Sequence, residues 1–268
     1  GAFRKPRDDS RYDSLSQGAG ERSCLRRGAF FDGYRANPEY ALQTLQAAYE
    51  NGADCLCLCD TNGGSFPDFV QSVTELVKER FPVAVGIHAH DDSGMAAANS
   101  ILAVTAGATH VQGTLTGFGE RCGNANLSTV LAGLQLKMGY ECVPAEALER
   151  LTSTVHEVAD ISNISVSKNM PYVGANAFAH KGGMHVDGVM KNSLTFEHVS
   201  PSLVGNTRRV MMSEVAGRSA ILEKVKGFYP DIKKDSEEAT RIIEMVKQME
   251  HQGYQFEGAE ASFELEVR

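Results

Sequence analysis

From Ala53 to Met138 one pattern repeats three times: a short apolar run, a loop, then apolar residues recurring at helical spacing. The first run, Ala53 to Cys59, ends in D-T-N-G-G, and the helix after it carries Phe69, Val73, Leu76 and Val77 on one face before stopping at Pro82. The second passes from Pro82 into G-I-H-A-H-D-D-S-G, with a helix from Met95 to Ala106 that Gly107 ends. The third, His110 to Leu115, leads through G-F-G-E-R-C-G-N to a helix over Leu127 to Met138. A preceding helix, opened by Asn37-Pro38 and closed by Asn51-Gly52, carries Tyr40, Ala41, Leu45, Ala48 and Tyr49 in register. Strands alternating with helices at about 30 residues per unit predict an α/β fold with a parallel sheet. In such sheets chemistry collects on the loops after the strands.

The loop after the second strand holds His88 and His90. Two apart on an extended strand, both side chains leave one face, about 7 Å apart along it, close enough to converge on one divalent metal. Asp92 is the carboxylate placed to orient an imidazole, and Asn124, from the third loop, is a possible oxygen ligand. Two imidazoles and oxygen donors suit a catalytic ion with open positions better than a closed structural site. Glu120-Arg121 reads either as an ion pair at the rim or as catalytic. Thr61 and Asn62 read either as caps of the next helix or as substrate contacts. Cys122 lies beside Arg121 with no base evident, which argues against a nucleophile.

After Pro144 the rhythm stops. Ala145 to Ile161 reads as one helix, with Leu148, Leu151, Val155 and Val158 in register. A glycine-rich loop, A-F-A-H-K-G-G-M-H-V-D-G, carries His180 and His185, and H-V-D sets Asp187 near His185, a pairing that can fix a tautomer and basicity. Residues 213–252 are mostly helical in pattern, with Ile242, Met245, Val246 and Met249 as a core stripe, and Ala261 to Val267 is strand-like. His110, His156, His198 and His251 have no such company and read as structural.

The net charge of -8 argues against a nucleic-acid or anionic-membrane partner, and no apolar run approaches a membrane span or a signal peptide. The chain reads as cytoplasmic. Cys55, Cys57 and Cys59 alternate along one strand, where they cannot bridge one another, so they read as buried reduced thiols. Residues 1–29 are charged and lack any apolar period, as in a disordered leader.

Five motifs together resemble the Claisen-condensing acyl transferases related to isopropylmalate and homocitrate synthase: D-T-N-G-G, G-I-H-A-H-D-D-S-G, G-T-L-T-G-F-G-E-R-C-G-N, A-F-A-H-K-G-G-M-H-V-D-G and V-G-N-T-R-R-V-M-M-S-E-V-A-G-R-S. Within that group F-F-D-G-Y-R-A-N-P-E-Y-A-L, L-C-D-T-N-G-G and G-Y-Q-F-E-G-A-E-A-S-F-E-L are similar to the citramalate branch. The resemblance implies the C-terminal part of a TIM (β/α)8 barrel over 30–143, then helical subdomains over 144–268 leading toward a regulatory domain. It implies a divalent cation (Mn, Mg, Zn or Co) on His88, His90 and Asn124, and Thr61 at a 2-oxo acid carboxylate. His185, with Asp187, would help deprotonate acetyl-CoA, reaching the barrel of a partner subunit in a homodimer. The implied reaction joins acetyl-CoA, pyruvate and water into citramalate and coenzyme A, toward isoleucine and the branched-chain amino acids. Isopropylmalate or homocitrate formation and a non-catalytic remnant are the alternatives, and the His185 subdomain argues against a hydroxymethylglutaryl-CoA-type lyase.

The chain departs from the family's pattern in four places. Nothing resembles the opening D-T-T-L-R-D-G strand, which supplies a metal-binding Asp and an Arg. Where the family reads Y-D-A-E-H-F-F-D-G-Y, this chain has L-R-R-G-A-F-F-D-G-Y, the kind of mismatch a shifted reading frame leaves. Phe196 stands where the family has Tyr, and Asp91 replaces an Asn. With about four of the eight barrel strands absent, these 268 residues alone are expected to be inactive and poorly stable.

Overall fold

A computed structural model describes residues 23–181, 183–211, 218–254, 256 and 259–267. The chain forms two compact units, residues 1–142 and 143–268.

The first unit is a partial (β/α)8 barrel. Four parallel strands, β1 (Cys24–Arg27), β2 (Cys55–Asp60), β3 (Ala84–Ala89) and β4 (His110–Gln112), lie side by side in chain order. Helices α1 (Phe30–Ala36) and α2 (Pro38–Glu50) follow β1, α3 (Pro67–Arg80) follows β2, α4 (Ala96–Thr105) follows β3, and α5 (Leu127–Met138) follows β4. The punctuation works as local chemistry requires: Asn37 caps α2 by accepting the Tyr40 N–H at 3.0 Å with Pro38 in the first turn, and Gly139 ends α5 at φ 75°.

The period of two sorts the sheet's faces. Leu56, Leu58, Val85, Ile87 and Ala89 point to the helices and join a core with Phe30, Phe31, Leu45, Val70, Val77 and Phe81. Each such large side chain, fully buried, stabilises the fold by about 1.5–3 kcal/mol. The register puts Arg26, Cys57, Gly86 and His110 in one row across the other face, and Cys59, His88 and Gln112 in the next. Every residue of β2 is buried, so its three alternating cysteines are free thiols packed inside.

Residues 23–27 correct the expectation of a structureless leader. Despite R-R, Cys24–Arg27 form β1, because the neighbouring edge of β2 supplies parallel partners from Cys24–Cys55 to Arg27–Leu58 and the Asp54 carboxylate accepts the Ser23 N–H at 2.8 Å. Gly28 and Ala29 turn into α1, and residues 1–22 lie outside the described residues.

The second unit is mostly helical. The helix expected over 145–161 is two, α6 (Ala145–Leu148) and α7 (Leu151–Ile161). The backbone of Gly205 lies directly against the Glu149 carbonyl at the break, and the Thr152 hydroxyl donates to the Val204 carbonyl at 2.6 Å. The expected glycine-rich loop is instead β5 (Ala179–Lys181), parallel to β6 (Arg209–Met211), and a helix, α8 (Gly183–Lys191). Val186 and Val189, three apart, are both buried, which a loop does not require and a helix face does. The 213–252 pattern resolves into α9 (Arg218–Lys226) and α10 (Glu237–His251), whose Ile242, Ile243 and Val246 sit in a core with Ile221, Val225 and Phe263 while Met245 and Met249 pack against it. The final piece is helix α11 (Glu260–Val267), not a strand. Phe263 and Val267, four apart, are buried together while Leu265 between them is exposed, so the helical period wins over the alternation.

Candidate functional site

The carboxyl ends of β2, β3 and β4 bring their loops together. His88 and His90 leave one face, each only 7% exposed, and their Nε2 atoms approach to 3.2 Å. The loop of Asn124 lies along the end of β3: Asn124 bridges His90 through the backbone, the Ala125 N–H donates to the Ala89 carbonyl at 2.9 Å, and the Asp91 N–H to the Gly123 carbonyl at 3.0 Å. Gly123, at φ 98°, turns the loop where a side chain would strike the Gly117 carbonyl.

His88 Nδ1, His90 Nδ1 and Asn124 Oδ1 are buried without a hydrogen-bond partner among the described residues. An orphaned buried donor or acceptor costs about 1–3 kcal/mol and calls for an explanation. Two nitrogens about 2.1 Å from one ion, at angles between octahedral and tetrahedral, stand roughly 3.0 to 3.4 Å apart. The observed 3.2 Å spacing lies inside that bite. The two facing imidazoles therefore have the spacing of a divalent-cation bite, while the Asn124 amide donates to the Phe118 carbonyl at 3.1 Å and leaves its Oδ1 unpartnered among the described residues. No group of three or more His, Cys, Asp or Glu side chains that could hold a metal ion converges among the described residues. Burial first, then the Arg26 and His90 charges, press the His88 pKa down to about 4. The imidazole is neutral at pH 7, the form a ligand needs.

Asp92 does not orient an imidazole. Its carboxylate is taken by Arg121, Nε to Oδ1 at 2.8 Å and Nη2 to Oδ2 at 3.0 Å, a fork that a planar guanidinium satisfies better than an imidazole can. Arg121 first, through that pair, holds the Asp92 pKa below the usual carboxylate range. Arg121 also donates to the Thr61 carbonyl at 2.6 Å, while Glu120 stands 3.6 Å away and is mostly exposed. Arg121 thus ties three loops, and its close ion pair is with Asp92 rather than with the adjacent Glu120.

Neither Thr61 nor Asn62 caps α3. The Thr61 Oγ1 accepts the Ala29 N–H at 2.7 Å, and the Asn62 amide donates to Asp32 Oδ2 at 3.0 Å. Asp91 Oδ1 accepts the Ala96 N–H at 2.8 Å, so its added charge serves the start of α4. Cys122 is exposed and free.

In the second unit His185 stacks on Phe196, ring centroids 4.3 Å apart. The expected His185–Asp187 pairing does not form. On a helix residues two apart point away from each other, and Asp187 instead accepts from Lys191, four residues on, at 2.7 Å. The other histidine of that motif, His180, is buried against Glu197 Oε1 at 3.0 Å, and Arg208 forks onto the same carboxylate at 2.6 and 2.7 Å. Sequence reading missed this triad, since no spacing links its members. It also missed Arg26, whose Nη2 lies 2.6 Å from His88 Nε2, and Asp60, buried and bonded to Ser65 through both oxygens.

A family model described as HMGL-like matches residues 19–164, and one described as homocitrate synthase post-HMGL domain-like matches 172–254. An (R)-citramalate synthase of Aquifex aeolicus is 52% identical over 89% of this chain and 46% of its own length. One from Synechocystis is 50% identical over 89% and 45%. A 2-isopropylmalate synthase of Lactococcus lactis is 35% identical over 81% and 43%. The chain spans about half the length of the curated relatives it matches. Among solved structures, an HMG-CoA lyase of Bacillus subtilis superposes with a TM-score of 0.53 at 26% identity, covering 60% of this chain and 57% of that one.

Proposed function

The chain belongs to the HMGL-like family, and from that premise we propose that its full-length protein condenses acetyl-CoA with pyruvate to give citramalate. The methyl group of the thioester loses a proton, its carbon bonds to the ketone carbon, and the ketone oxygen takes up a proton. Water then cleaves the thioester and releases coenzyme A, which makes the condensation effectively irreversible. The observation that carries this reading is the facing Nε2 atoms of His88 and His90, with the Asn124 loop paired against His90. A divalent cation held there would supply Lewis-acid polarisation of the ketone.

The chain's own residues do the rest. Thr61, whose oxygen accepts from Ala29, keeps its hydroxyl proton for a substrate carboxylate. Arg121 positions rather than reacts, since Asp92 and Thr61 already take its donors. His185 is assigned removal of the methyl proton, supported by its exposed place on α8 and by the resemblance of its motif. A cytoplasmic homodimer without nucleic-acid or membrane partners completes the proposal. The net charge of -8 argues against a nucleic-acid or anionic-membrane partner, and among the described residues no helix is long and apolar enough to cross a membrane.

The test is a panel of 2-oxo acids with acetyl-CoA and the full-length protein, followed by free-thiol release. Pyruvate is expected to give the highest kcat/KM. Preference for 2-oxoisovalerate or 2-oxoglutarate would replace the substrate, and no thiol release with any of them would end the condensation reading.

A further inference from the structure

We infer that Arg26 is a resident competitor for the imidazole pair: its guanidinium takes the one lone pair on His88 that a divalent cation would need, so a cation reaches this site only when the arginine leaves. This rests on the reading of His88, His90 and Asn124 as a cation site.

The geometry leaves few choices. Arginine stays protonated and only donates, so at 2.6 Å His88 Nε2 must be the acceptor. A neutral imidazole then carries its proton on Nδ1, which is buried without a partner among the described residues. His90 Nε2, at 3.2 Å, faces the same His88 nitrogen. That nitrogen has a single lone pair in the ring plane, so it can satisfy the guanidinium, His90 or a metal, but not two at once. A guanidinium nitrogen 2.6 Å from the donor atom also occupies the space where a metal would sit, about 2.1 Å from it, and brings like charge to that spot.

The sheet explains how the arginine gets there. Arg26 pairs with Cys57, one row behind the row of Cys59 and His88 on the same face. Two residues of strand rise, about 6.6 Å, and two strand spacings, about 9.6 Å, set the two Cα atoms roughly 12 Å apart, a gap that an extended arginine and the imidazole close between them. Lysine at this place would carry the charge without the planar fork.

Mn2+ binding, read by loss of the free-ion EPR signal, tests the inference on the 268-residue chain. Mn2+ prefers nitrogen and oxygen donors to the thiols lining the same face. Arg26→Ala is expected to raise Mn2+ affinity about tenfold or more, the scale of one charge-assisted hydrogen bond, and His88→Ala in that background to abolish the gain. Equal affinity in the native chain and Arg26→Ala, lost in His88→Ala, would overturn the role of Arg26 and leave the cation site standing. Binding that ignores His88→Ala, or no binding in any variant, would overturn both. A second readout needs no metal: ring 15N shifts should report an accepting Nε2 on His88 in the native chain and change in Arg26→Ala, and unchanged shifts would overturn the contact itself.

Discussion

Arg121 holds Asp92 in a two-pronged ion pair, Nε on Oδ1 at 2.8 Å and Nη2 on Oδ2 at 3.0 Å, while the same Nη2 reaches the Thr61 carbonyl at 2.6 Å. One side chain therefore braces the loops after β2, β3 and β4. Both Arg121→Ala and Arg121→Lys should speed amide hydrogen exchange at residues 61–65 and 90–94, because an ammonium cannot span both carboxylate oxygens and the carbonyl. Exchange unchanged in Arg121→Ala would show that the loops are held by something else.

Gly63 passes under the same carboxylate. Its φ is +61°, and an added Cβ would stand 2.6 Å from Asp92 Oδ2 and 2.7 Å from the Asp92 nitrogen. Gly63→Ala should lose about 1–2 kcal/mol from the left-handed backbone alone, more once Asp92 is displaced. Calorimetry of the variant checks it, and a melting temperature equal to the native one would refute the prediction.

Glu197 is buried between Arg208 and His180, and Arg208 first, then His180, hold its pKa below the usual carboxylate range. A carboxylate depressed in the folded state binds fewer protons there than when unfolded. Its stabilisation is therefore whole above the unfolded value of about 4.3 and drains away as pH falls through the folded value. Arg208→Ala should cost about 3 kcal/mol, the low end for a broken buried pair because the guanidinium is itself about a third exposed. Denaturant melts between pH 6 and about 3 should show less acid destabilisation in Glu197→Gln than in the native chain. Equal acid sensitivity in the two would assign the effect to other carboxylates.

The thiols should differ in reactivity. Hydrogen bonds from Cys55 and then Cys57 pull the exposed Cys24 thiol's pKa down, whereas burial pushes Cys142 up. The thiolate is the nucleophile, so iodoacetamide at pH 7 should label Cys24 before Cys142 and leave buried Cys57 for last. Peptide mapping that finds Cys57 labelled as fast as Cys24 would contradict the packing of β1 on β2.

His88 and His90 were legible because a period of two is local: any extended backbone puts them on one face. Where Asn124 lies depends on a loop folding back along β3, which no local period reports. The pairing of Asp187 with His185 failed for a local reason as well, a helix where a loop was expected, which turns Asp187 to Lys191. Arg26, Glu197 and Arg208 were not legible, because charged residues in irregular-looking text carry no period, and their partners lie 62 and 11 residues away.

The sequence by itself determined the alternation of strands and helices from Ala53 to Met138, the Asn37 cap and the histidine face, all of which follow from backbone periods and side-chain chemistry within a few residues. Only the tertiary structure decided which charges meet: Arg121 with Asp92, Arg208 with Glu197, and Arg26 with the imidazole of His88. Those choices depend on strand register and loop closure across long separations, where the energy of a contact exists only once the chain has already brought its two ends together.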